Sequence, residues 1–233
     1  MSAKTIKFTG ASLIFLGVYL NIPFSILGAI FDYPNILRQP TGEVLTRFHA
    51  GGTTLIATWY AFALAAVLMV LVVLLVYPVL RSTNENLMRI ATAFGVLAGI
   101  MQVIGLIRWV FVVPSLANAY TDPAATEATR AATVIVFNTI HQYAGVAIGE
   151  HLGQLFTATW AMLVSVSLYK TSRYQSIAGI VIAALMFVGL VEGFATVIKF
   201  NPGVFGALTP VAFIALSLWM IVLGIQILRR KPQ

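Results

Sequence analysis

Six apolar runs, at residues 8–31, 52–80, 88–113, 152–169, 175–198 and 204–228, leave this 233-residue chain little choice of architecture. A helix needs about 20 apolar residues to cross the roughly 30 Å hydrocarbon core of a bilayer, and these runs are of that length. Period-two alternation is absent from them, which excludes a transmembrane barrel. A soluble fold would have to pack several helices that are apolar all round into one small core, which soluble folds avoid. The sequence therefore specifies an all-α fold, a polytopic transmembrane helical bundle of about six spans. Residues 1–233 form a single transmembrane domain, because no loop is long enough for a soluble one. The chain has no cysteine, hence no disulfide framework, thiolate nucleophile or thiolate metal site.

The charges give an orientation. Six spans put Lys4, Lys7, Arg81, Arg89, Lys170, Arg173, Arg229, Arg230 and Lys231 on one side, with Glu85 as the one acid. Arg38, Arg47, Arg130 and Lys199 fall on the other side, balanced by Asp32, Glu43, Asp122 and Glu127. Nine bases against four is the positive-inside pattern for a multi-pass protein of the plasma (inner) membrane with both termini cytoplasmic. The net charge of +7 follows from this topology. It is no sign of a nucleic-acid partner, since the bases sit at span ends and form no patch interleaved with aromatics. The first run is longer than the apolar core of a signal peptide and no small-x-small cleavage site follows it, so it reads as an uncleaved span bent near Pro23.

Polarity concentrates in the fourth span. His141 to Phe156 reads HQYAGVAIGEHLGQLF, and ionisable groups at membrane depth normally face a partner, a cavity or a ligand. The stretch from Ala131 to Tyr169 has no proline, and as one helix it would run about 58 Å, nearly twice the hydrocarbon thickness. The span is thus either over-long or broken near Gly145–Gly153. Counting residues from the basic span ends places Arg108, Glu150, His151, Glu192 and Lys199 in the outer leaflet half. At 100° per residue, Tyr143, Glu150, Gln154 and Thr157 share one face, whereas Asn138, His141, Gln142, Gly145 and Gly149 share another. His141 is accordingly assigned to a different surface from Glu150. Gly145, Gly149 and Gly153 form a doubled small-xxx-small series suited to close helix packing.

These residues suit more than one chemistry. The candidate ligand or ion-pair cluster is Arg108, Glu150, His151, Gln154, Glu192 and Lys199. His49, Glu150, His151 and Glu192 are the ligand types of zinc or non-haem iron, but HExxH and CxxC are absent and the spacing favours no metal. Haem is disfavoured, because no histidine pair is placed to clamp one. Neither a GxSxG motif nor a cysteine offers an activated nucleophile, so the chain leans away from an enzyme. No internal repeat or matched pair of interrupted helices signals alternating access. The segment at 32–52, DYPNILRQPTGEVLTRFHAGG, reads as an outer interfacial element. In it Thr41 caps a short helix ended by Gly51, and Val44, Leu45 and Phe48 face one way. An interfacial helix without a gating role and a lid over the polar cluster both fit it.

DYPNILRQPTGEVLTRF together with HQYAGVAIGEHLGQLFTATW resembles a group of bacterial multi-pass membrane proteins classed only as a domain of unknown function, numbered four-three-eight-six. The resemblance covers most of the chain and is most specific at Gly149, Glu150, His151 and Gly153. It implies a helical membrane domain and no reaction. The leading functional expectation is a protein that binds or moves a small polar solute, ion or metal at a site in the outer leaflet half. The alternative is a non-catalytic accessory or assembly subunit of a larger membrane complex or homo-oligomer, docked through its glycine face. A membrane enzyme acting on a lipid or quinone is the third reading.

Overall fold

Proline and glycine divide the apolar runs into the helices seen in the computed structural model, which describes residues 2–195, 197–198, 201 and 203–230. Pro23 has no N–H for the Tyr19 carbonyl, and the first span is interrupted at Leu20 between α1 (Ala3–Tyr19) and α2 (Asn21–Phe31). Asp32, left-handed at φ 54°, ends α2 and leads into a 3₁₀ turn at Asn35–Arg38. The second span is α3 (Thr41–Leu80), bent at Gly52, whose φ of 53° and ψ of −147° suit a residue without a Cβ. Pro40, rather than Thr41, precedes its first turn, and the Thr41 hydroxyl instead donates to Asn138 Oδ1 at 2.6 Å. The third span is α4 (Glu85–Phe111), opened by the Asn84 side chain accepting from the Leu87 N–H, and then α5 (Val113–Thr121). The fourth is α6 (Glu127–Ile140), a π-helix at His141–Leu152, and α7 (Gly153–Ser167). The chain finishes with α8 (Arg173–Gly189), the short α9 (Val191–Phe194) and α10 (Val204–Leu228).

Six of these helical stretches are long and apolar enough to cross a membrane, and the described residues contain no strand. Short connections make each span the antiparallel neighbour of the next, and α10 returns against α1 to close a ring. Glycines permit that closure: a Cβ on Gly224 would stand 2.6 Å from the Gly10 carbonyl oxygen, and one on Gly17 2.7 Å from that of Ser217. Large apolar side chains such as Phe8, Leu71, Leu74, Ile135, Val181 and Leu218 remain exposed on the outside of the bundle. In water such a surface would drive aggregation, whereas lipid tails meet it without penalty.

The interior has two apolar cores. One, near the end that carries both termini, joins Leu13, Leu16, Val76, Leu80, Trp160, Val164, Met186, Trp219 and Leu223. The other, toward the opposite end, is aromatic: Trp59 and Trp109 stack at 4.6 Å, and Phe31 meets both edge-on. Val44, Leu45 and Phe48 are at most 2% exposed in this second core, so the first turns of α3 dock onto the bundle through them.

Spans two, three and four run 40, 37 and 41 residues against 22 and 21 for the last two. At about 1.5 Å per residue the long ones reach twice the hydrocarbon thickness, and their surplus forms the aromatic end of the molecule. The fourth span is thus over-long and unbroken. What replaces a break is the π-helix at His141–Leu152, where i→i+5 hydrogen bonds put more than 3.6 residues in each turn. Successive side chains there advance by less than 100°, which changes the faces expected of the segment.

Candidate ligand-binding site

The wider turn of the π-helix sets the site. A four-residue stripe drifts by about 40° per step on an α-helix and by less on a wider one, so positions four apart stay on one face. His141, Gly145, Gly149, Gly153 and Thr157 form that face, and they meet α4 residue by residue. His141 Nδ1 lies 3.3 Å from Arg108 Nη2. A Cβ on Gly145 would run into the Arg108 guanidinium, one on Gly149 would sit 2.6 Å from the Gly105 Cα, and one on Gly153 2.9 Å from Gln102 Cγ. Gln102 Nε2 donates to Thr157 Oγ1 at 2.9 Å. His141 therefore sits beside Arg108, on the face it was expected to share with Gly145 and Gly149. The glycine series packs on the chain's own α4, which leaves it unavailable for docking a neighbour.

Between the two cores lies a cavity of about 200 Å³. Arg108, Glu150, His151, Gln154 and Glu192 all line it, as do Tyr33 and Arg38 from the segment between the first two spans. Its remaining walls are mainly apolar, from Leu20, Phe24, Phe62, Leu106, Phe213 and Ile214 among others. Lys199, the sixth member of the expected cluster, lies outside the described residues.

Each polar group arrives with its own constraints. Arg108 is 6% exposed, lies with its Cζ 5.1 Å from the Trp109 ring centroid, and donates through Nη1 to the Gly105 carbonyl. Its Nε–H has no hydrogen-bond partner, and the same holds for the buried indole N–H of Trp59, another residue of the cavity wall. Glu150 forms no ion pair among the described residues, with Arg108 or otherwise. Gln154 ties the fourth span to the last two, its Nε2 donating to the Met186 carbonyl at 2.8 Å and to Thr209 Oγ1 at 3.3 Å. His151 packs edge-on against Phe194 at 5.1 Å. Burial, with the Glu150 carboxylate adding to it, pushes the Tyr33 phenol above its usual range against the opposing fields of Arg108 and Arg38. Tyr33 consequently stays protonated and offers an O–H at the cavity wall.

Glu192 pairs with Arg38 at 2.8 Å, rather than with Arg108. That bond joins the far end of span five to the 3₁₀ turn, with side chains 44% and 21% exposed for Arg38 and Glu192. An ion pair so accessible to solvent contributes little to stability. Arg38→Gln is expected to change it by less than about 1 kcal/mol. A larger loss on thermal unfolding would show the pair to be a structural requirement.

The metal candidates do not converge. His49 hydrogen-bonds Asn118 at 3.0 Å and does not line the cavity, and among the described residues no three His, Asp or Glu side chains gather as a metal set. Glu150, His151 and Glu192 share the cavity without His49.

Residues 8–225 match the family described as Domain of unknown function (DUF4386). The chain belongs to this family. No curated protein and no solved structure matches it. In this DUF4386 chain the match takes in every element that builds the cavity, from Leu20 to Ile214. Arg38 and Tyr33 are among the cavity residues that depth counting missed, because they stand between two spans where distance from a basic anchor has no meaning. Their position between Pro34 and Pro40 and beside Asp32, in the one segment already rich in turn formers, was the available signal.

Proposed function

We propose that this integral membrane protein binds or moves a small polar solute at the cavity, with Arg108 as the anchoring cation and Glu150 as the facing carboxylate. The observation that carries this reading is a buried guanidinium with an unpartnered N–H, lining the same cavity as a carboxylate with no ion pair. Buried donors are normally satisfied, and a mostly apolar cavity with a few convergent polar groups is the usual form of a ligand site. The basic span ends support placing both termini in the cytoplasm, so that the cavity serves the outer leaflet half. The assembly-subunit alternative loses its docking surface, because Gly145, Gly149 and Gly153 are already packed.

A thermal-shift screen of the purified chain against small anions, cations and zwitterions tests the reading. A ligand at one hundred times its Kd adds about 2.7 kcal/mol, which for a domain of this size raises Tm by roughly 5–10 °C. Glu150→Gln should keep the unliganded Tm and lose that response. An identical response in the variant would remove Glu150 from the site, and the same result with Arg108→Met would remove the site.

A further inference from the structure

We infer that the solute is the head group of a single-chain amphiphile, a zwitterion carrying one anionic group and one ammonium, which enters from the bilayer while its chain stays in lipid. The inference rests on the cavity-binding reading above and adds the class of ligand.

Charge decides the head group. The described ionised groups of the cavity are Arg38, Arg108, Glu150 and Glu192, which sum to zero. A ligand of net charge would leave one charge uncompensated at membrane depth, which is costly. A zwitterion leaves the balance intact and satisfies both unpaired groups. Its anion meets the Arg108 guanidinium, whose Nε–H has no partner, and its ammonium meets the Glu150 carboxylate. Arg38 and Glu192 already neutralise each other at 2.8 Å.

Volume decides where the rest of the molecule goes. The cavity is about 200 Å³, whereas sites for whole drug-sized ligands take about 300–1,000 Å³. A head group fits and an acyl chain does not. The wall contributed by spans one and six is mainly apolar, with Asn21 and Thr209 as its polar members, and reaches the surface. Ile214 lines the cavity and is 47% exposed, next to Phe213 and opposite Leu20 and Phe24. Closer to the termini the same two spans are sealed by Gly10, Gly17 and Gly224, so the chain has a way out toward lipid at the depth of the cavity.

The test uses the tryptophans at the site. The full chain in maltoside micelles is titrated with lysophosphatidylethanolamine, with lysophosphatidic acid of the same chain, and with glycerophosphoethanolamine, which is the head without the chain. Tryptophan fluorescence is followed throughout in a Trp160→Phe, Trp219→Phe background, so that Trp59 and Trp109 alone report. The zwitterionic lysolipid should saturate about tenfold more tightly than either comparison molecule, and Glu150→Gln should abolish its preference over lysophosphatidic acid. Equal binding of the chainless head would overturn the amphiphile, and preference for lysophosphatidic acid would overturn the zwitterion, each leaving a cavity that binds solutes. No saturable change with any probe, together with no hit in the thermal-shift screen, would overturn both readings.

Discussion

Gly149→Leu is expected to abolish the folded bundle. At Gly105 and Gly149 the third and fourth spans touch backbone to backbone, and even a Cβ would lie 2.6 Å from the opposite Cα. No side-chain rotation relieves such a contact, so the two helices must move apart along the stripe that also seats Arg108 and Gln102. Overpacking a core ordinarily costs about 1–3 kcal/mol, and Gly149→Ala should fall in that range. Leucine adds volume where neither backbone can yield, and the expected result is aggregation on size-exclusion chromatography in detergent. Gly28→Ala is the control. Its Cβ would meet nothing nearer than the Tyr33 carbonyl oxygen at 3.5 Å, and alanine is the better helix former, so this variant should be neutral or slightly stabilised. A monodisperse Gly149→Leu protein with wild-type Tm would mean that the two spans do not cross at this point.

Arg108→Met carries the second large effect, on ligand response more than on folding. Methionine keeps much of the side-chain length in the slot between Gly145 and the Trp109 ring and discards the charge. Lost are the bond to the Gly105 carbonyl and the contact with His141, together worth about 1–3 kcal/mol for a charged donor. Part of this is recovered because no buried cation remains to be desolvated. The variant should therefore fold with a modestly changed Tm and show no thermal shift with any solute that stabilises the wild type. Arg108→Lys should not rescue it fully, since a point charge cannot reproduce the planar fork of donors. A wild-type shift in Arg108→Met would contradict the role given to the guanidinium.

Much of this architecture was legible in the sequence, because hydrophobic length is a one-dimensional property. The apolar runs yielded six helices long enough to span, and Pro23 foretold the interruption at Leu20. Depth counting brought Arg108, Glu150, His151 and Glu192 to one level, and the same cavity receives all four. Phase was less readable, since 100° per residue assumes an α-helix and the segment from His141 to Leu152 is π. That assumption separated Glu150 from Gly145 and Gly149, which line the cavity with it. The strict spacing of His141, Gly145, Gly149, Gly153 and Thr157 in fours was the available warning, because an α-helix would spread that stripe around its circumference. Pairing was beyond reach for a different reason. Arg38 and Glu192 are 154 positions apart and meet only when the turn after α2 folds back over the bundle.

Cysteine labelling distinguishes an accessible cavity between Arg108, Glu150 and Glu192 from a dry contact, and the former is the claim made for this chain. The chain has no native cysteine, so background reaction with a small water-soluble maleimide is nil. Leu106 lines the cavity, whereas Ala98, two turns nearer the termini on the same α4 helix, is fully buried outside it. Leu106→Cys in the folded protein should label readily and be protected by any solute that raises Tm, while Ala98→Cys stays unlabelled until the protein is denatured. Equal protection of both cysteines without ligand would contradict the claim and leave the polar cluster as structural packing.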